Sequence, residues 1–359
     1  MPRSGTAILP LHYGHPPKRL YERMVSLGGI LSELIVDKFG STELVTRFSD
    51  PFWFHSFALA LGFDWNSSGT TTVLLSALRD YYQNNEGSVH VIGAKGEKLS
   101  TMGNQAADLE DHLGERYVAS LMNTARDVAR VDNNLLQDGF DLYMQFIVTD
   151  GKGWSIVQQG LNPNTRLARR YHWNSRINGR IYDDNRSGLS GSEKLSAVLD
   201  LSTAASSRNR DHMVEASGER PERFSNVPGD SRQMALDGSM ASGRFLNMDV
   251  RINWKKLRQI YEYSPQGFDD LFRMKGVGRS TIRALSYLSE IISGYSPSFS
   301  DPLKFSFALG GKDGIPRPVN YADYDKCILF FSDVLGRKGF RRETDIMIEN
   351  LARSGLMLR

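Results

Sequence analysis

One cysteine, Cys327, stands among 359 residues, which excludes a disulfide framework and any cysteine-rich zinc or iron–sulfur centre within one chain. That usage implies a reducing, intracellular setting. No run approaches the roughly 18 apolar residues that a membrane span needs; SFALALGF and CILFF are core-sized pieces. The amino-terminal MPRSGTAILPLHYGHPP is broken by prolines and histidines and carries no signal-peptide core, so a cytoplasmic protein without a membrane partner is expected. A Gly-x-x-x-x-Gly-Lys-Ser/Thr loop is missing, which argues against ATP-driven activity; a Gly-x-Gly-x-x-Gly turn after a strand and a Gly-x-Ser-x-Gly elbow are missing too. Neither sign of charge dominates: the net charge is only +3. With 40% hydrophobic and 24% charged residues the chain has the composition of a globular protein, long enough for two cores.

Apolar positions spaced by three and four predict helices over 18–48, and the aromatic SDPFWFHSFALALGF reads as a buried helix. A loop at Asp64–Gly69 and a helix capped near Thr70 follow. SVHVIGAKG reads as a strand entering a glycine turn, and DLEDHLGERYVASLMNTARDVARV as one long helix. FDLYMQFIV and WSIVQQG, joined by an Asp-Gly turn, form the clearest hairpin. Residues 217–245 are polar, rich in glycine, proline and serine, and without period, as expected of a linker. Together these predict an α+β domain over 1–216 built on a central antiparallel hairpin, a flexible linker over 217–247, and a small all-α domain over 248–359.

In the last of these, FRMKGVGRSTIRAL places Gly276 and Gly278 one residue apart before an amphipathic run. The pattern resembles the helix-hairpin-helix motif: hydrophobic residue, Gly, hydrophobic residue, Gly, then a helix. Val277 would plug the turn into the core, while the glycines let the backbone turn sharply and approach another chain closely. N–H groups at the start of the next helix then face outward at the positive end of its dipole, where a DNA phosphate fits. Lys275 and Arg279 add charge, and Ser280 or Thr281 a hydrogen bond. From Arg251 to Glu290 eight Lys/Arg face four Asp/Glu, a local excess larger than that of the whole chain. The alternative is an ordinary αα-corner with solvated basic residues. Related hairpins in DNA glycosylases precede a catalytic Asp; here Asp301 is the nearest acid and its surroundings do not match.

RSGTAILPLHYGHPP, SDPFWFHSFALALGFDWNSSGTTT, QDGFDLYMQF with WSIVQQGLNPNTRLARRYHW, and FALGGKDGIPRPV together resemble domain-of-unknown-function family 763, found in archaea and thermophilic bacteria. The resemblance spans nearly the whole chain outside 217–245; where the family carries His, this chain has Asn66. It implies an architecture more than an activity, and the activity attached to it here is a metal-dependent nuclease.

Such chemistry needs Mg²⁺ or Mn²⁺ held by carboxylate or carbonyl oxygens, with a base or cation nearby. Asp132 and Asp138 flank the hairpin entry, Asp141 begins its first strand, and Asn162 follows the return strand. Gln158 and Gln159 point to opposite faces, so only one can share a site with a given residue of the first strand; the metal is assigned to Asp138, helped by Asp132 or Gln159. The Glu-x-Lys usual in nuclease sites on paired strands is missing. Arg166, Arg169, Arg170, Arg176 and Arg180, interleaved with Tyr171, His172 and Trp173, suit phosphate contacts and base stacking, or else form a helix with its arginines in solvent. His172 is a candidate base, Lys95 a cation for the scissile phosphate, and Asp64 a second metal ligand beside Ser67, Ser68 and Thr70. His12 and His15 are a further candidate metal pair, and Lys312 a further phosphate contact. The expected partner is DNA, single-stranded or distorted duplex, bound by a protein that is a homodimer or, alternatively, a non-catalytic repair scaffold.

Overall fold

The structure, a computed structural model, describes residues 16, 18–61, 68–85, 87–192, 194–221 and 253–303. Asp64, Ser67, His12, His15 and Lys312, like the stretch 222–252, lie outside the described residues.

Four helices come first: α1 (Lys18–Phe39), α2 (Ser41–Arg47), α3 (Pro51–Ala60) and α4 (Ser68–Asn84). Asp50 caps α3 by accepting from Phe52 N at 2.8 Å and Trp53 N at 3.3 Å, with Pro51 at the first helical position, where its missing N–H costs nothing. Strand β1 (His90–Lys95) follows. The single helix expected over 108–131 is instead two, α6 (Glu110–Leu113) and α7 (Glu115–Arg130), after the short α5 (Met102–Ala107). Gly114 separates them, because its φ of 84° lies in the left-handed region where a helix cannot continue. A turn of π-helix, Val131–Leu135, then carries Asp132 into the interior and leads to the two-residue β2 (Leu136–Gln137).

The expected hairpin is present as β3 (Asp141–Thr149) and β4 (Trp154–Asn162). Asp150 closes its turn, accepting from Lys152 N and Gly153 N at 3.0 and 2.8 Å, while Gly151 adopts φ 78°. The arginine-rich stretch is neither a loop nor a helix but a third long strand, β5 (Leu167–Asn174), followed by β6 (Gly188–Ser190). The sheet runs β1-β3-β4-β5-β6 with every pair antiparallel, and β7 (Leu199–Asp200) pairs separately with β2. At Gly93 on the outer strand β1, a Cβ would meet Gln145 O at 2.5 Å, so only glycine fits. The Gly93 N–H donates to Gln105 Oε1 at 2.9 Å, and Arg79 Nη1 donates to its carbonyl at 3.2 Å.

Each sheet face carries a core. Met144, Phe146, Val148 and Val157 pack against α1–α4. On the other face Ile147, Ile156 and Trp173 join Leu121 and Val128 of α7. Met213 of α8 (Ser207–Ser217) and the three last described helices, α9 (Trp254–Tyr263), α10 (Phe268–Arg273) and α11 (Arg279–Ser293), enter that second core, the helices through Leu257, Ile260, Phe272, Ile282 and Leu285, with Val277 from the turn between the last two. The mixed helix-and-sheet composition and antiparallel sheet agree with the expected class. The carboxyl-terminal helices share their core with the sheet.

Candidate functional site

The acids assigned to metal are held by protein partners. Asp138, fully buried, accepts from Phe140 N at 3.1 Å, Arg169 Nη1 at 3.0 Å and the Tyr171 hydroxyl at 3.1 Å. Arg169 also clasps Asp301, whose carboxylate receives Leu195 N and Leu303 N as well. Burial alone would lower the Arg169 pKa, but Asp138 and Asp301 outweigh it and hold the guanidinium charged. Asp132 accepts from Arg186 Nε, Gln158 Nε2 and Trp173 Nε1, the last two at 2.7 Å. Burial, opposed by Arg186, pushes its carboxyl up to about 6. Gln159 lies on the opposite sheet face, donating to Ser68 O and the Tyr143 hydroxyl, and shares nothing with Asp138. Among the described residues no group of three or more His, Cys, Asp or Glu side chains is placed to hold a metal ion. The donor set around Asp132 and Asp138, all guanidinium, hydroxyl, amide and indole hydrogens, does not fit one.

Strand alternation separates the two central arginines. Arg169 faces Asp138, while Arg170, opposite Gln159 in register, faces α4. Both are fully buried, so neither side chain meets solvent. Arg170 donates from Nε to His172 Nε2 at 3.1 Å and from Nη1 to Thr71 Oγ1 at 3.0 Å, and stacks over Phe54. His172 is buried, its Nδ1 2.9 Å from Phe48 O, and burial with Arg170 beside it holds its pKa well below the ordinary imidazole range. Arg166 is exposed at the β4–β5 turn, with φ 57°. Lys95 ends β1 in solvent.

The turn through Gly276 and Gly278 joins α10 to α11. Val277 is buried, 6% exposed, and its N–H donates to Met274 O at 3.1 Å. Gly276 adopts φ 82° and is exposed; a Cβ there would sit 2.6 Å from Lys256 Nζ, so an ammonium lies over the turn. Gly278 precedes α11 with no side chain capping the helix. Lys275 and Ser280 are exposed and Thr281 is buried. Arg279 turns inward: it donates to Asn133 O at 2.8 Å, to Phe140 O at 3.2 Å and to the Asp141 carboxylate, clasping α11 to the sheet. Gln137 completes that seam between Arg279 O and Arg283 Nε.

Beside the hairpin lies a feature not singled out in the sequence. A groove of about 770 Å³ runs along the outer face of α7, lined by Arg116, Ser120, Asn123, Arg126, Arg130 and, from α10, Arg273, with Asp127 as its one acid. Arg130 and Arg273 share Asp127 at 3.0 and 2.9 Å, and Arg126 donates to Asn123. Among the described residues no carboxylate pairs with Arg116 or Arg126. From Arg116 to Arg130 the stripe is about 21 Å long at 1.5 Å per residue. Arg273 stands two residues before Lys275, so groove and hairpin adjoin. The signal was present as polar residues at 116, 120, 123, 127 and 130, one helix face opposite the buried Val118, Leu121, Ala125 and Val128.

These features define a mixed helix-and-sheet protein with an antiparallel sheet clad by helices on both faces. The chain belongs to the family described as Protein of unknown function (DUF763), which it matches over residues 5–319. No curated protein and no solved structure matches it.

Proposed function

We propose that this protein binds nucleic acid, DNA in the first instance, and holds its backbone across the glycine hairpin and the arginine groove of α7. The adjoining of four groove arginines to an exposed, glycine-built turn under Lys256 carries this reading. Cationic groups on a helix face with small polar side chains between them contact phosphates without reading sequence. Lys275, Gly276, Gly278 and Ser280 supply the hairpin part, with Arg279 as the clasp that fixes it. Of the two functions expected from the sequence, the non-catalytic one is favoured, because Asp132 and Asp138 are each consumed by structural partners.

The test is fluorescence anisotropy with labelled single-stranded, duplex and bubble DNA, in EDTA, Mg²⁺ or Mn²⁺. Affinity should fall steeply with salt as counterions are released. Lys275→Glu should weaken binding about tenfold or more across all sequences, the mark of a phosphate contact. Absence of binding to every DNA at low salt would remove the proposal, and metal-dependent cleavage would restore the nuclease. Sedimentation of the complex reports whether one copy or two occupy a site.

A further inference from the structure

Four arginines are buried in the described structure, and three have carboxylates: Arg169 with Asp138 and Asp301, Arg186 with Asp132, Arg210 with Asp183. Arg170 has none among the described residues. Its Nε and Nη1 are spent on neutral acceptors, His172 and Thr71, and its Nη2 has no hydrogen-bond partner. Among the described residues no carboxylate beside it supplies negative charge. His172 and His55 are both buried, and burial, with Arg170 beside them, keeps both imidazoles neutral at pH 7.

The arginine also reaches a place that is itself positive. Thr71 belongs to the first turn of the 17-residue α4, where the helix dipole presents its positive end. Two like charges thus meet in a space closed to water, the reverse of what burial permits without compensation. Gln159, across from Arg170 on β4, donates to Ser68 O in the same turn and leaves its own Oε1 without a partner.

We infer that Arg170, Thr71 and the amino-terminal turn of α4 form an internal binding site for a phosphate-sized oxyanion. A guanidinium fork, a hydroxyl and a helix start are the groups that recognise a phosphoryl group. The site lies on the sheet face covered by α1–α4, away from α7 and the hairpin, and stands whether or not those bind DNA.

Because Arg170 is covered, the measurement is an equilibrium one that lets the anion enter as the chain opens. The full-length protein is melted in inorganic phosphate and in chloride at equal ionic strength. An anion bound only by the folded state raises the melting temperature by mass action. Phosphate should raise it in the wild type in step with the logarithm of the phosphate concentration, and the rise should vanish in Arg170→Met. An equal rise in Arg170→Met, which would be the general stabilising action of phosphate on folded proteins, overturns the inference, as does no rise in the wild type. Should Arg170→Met not fold, Thr71→Val is read instead, with a diminished rise expected and an undiminished one overturning. Repeating the melt with a short oligonucleotide, with and without a 5′-phosphate, distinguishes a nucleic-acid terminus from the free ion as the source.

Discussion

At the residue scale the interior is governed by where charge can be buried. Asp138 stands between Arg169 and Tyr171, so Asp138→Ala leaves Arg169 short of one counter-charge in a dry core. Removing one member of such a network costs about 3–5 kcal/mol, and urea denaturation should show a loss of that size. A variant chosen to test metal binding would therefore report stability, and a midpoint unchanged from wild type would contradict this account. His55 gives a pH dependence. Burial, assisted by Arg170, lowers its pKa to about 3, against about 6.5 in the unfolded chain. The unfolded state thus takes up a proton that the folded state refuses, and stability is lost as pH falls from 6.5 towards 3. Between pH 6.5 and 4.5 the loss is about 2 kcal/mol, because the unfolded imidazole is already half protonated at pH 6.5 and the full slope of roughly 1.4 kcal/mol per pH unit is reached only below it. His55→Gln should flatten that slope in urea midpoints measured across the range; an unaltered slope would place the titration elsewhere. None of this was legible in the sequence, since Arg169 and Arg170 look alike as letters. Their fates diverge because strand alternation sends one towards aspartates and the other towards a helix end.

At the element scale, the sequence marked the hairpin turn and the helical periods, missed the break at Gly114 and mistook one strand. The hairpin of β3 and β4, with its Asp-Gly turn, follows directly from alternation. LARRYHWN was hidden because arginines in a row suggest a surface, although Tyr171, His172 and Trp173 are common strand residues. Two glycines separate backbone strain from contact. Gly114 and Gly276 have nearly the same φ, 84° and 82°, but a Cβ on Gly114 meets nothing while one on Gly276 meets Lys256 Nζ at 2.6 Å. Gly114→Ala should cost about 1–2 kcal/mol, the price of the left-handed conformation. Gly276→Ala should cost at least as much in thermal melts and, in addition, weaken DNA binding by displacing the ammonium. Equal affinity in Gly276→Ala would show that the exact placement of Lys256 is immaterial.

At the scale of the whole molecule, one sheet separates two apolar cores, and the last described helices are built into the second. The glycine- and proline-rich stretch after 221 suggested an independent module, because composition shows where the chain is polar and not what its neighbours pack on. Ile282 and Leu285 of α11 share a core with Trp173 of β5. Heat should therefore unfold the protein in a single transition, with calorimetric and van't Hoff enthalpies equal. A separate early transition removed by deleting the chain from residue 248 would instead establish an autonomous carboxyl-terminal unit.

The plugging of Gly93 bears on how this protein behaves in a crowded solution. An outermost strand is a template on which other chains can add, and β1 is such a strand. At its midpoint both outward backbone groups are already occupied, by the Gln105 carbonyl and the Arg79 guanidinium. Removing both side chains would reopen the template, and light scattering should then show association growing with concentration while the wild type stays disperse.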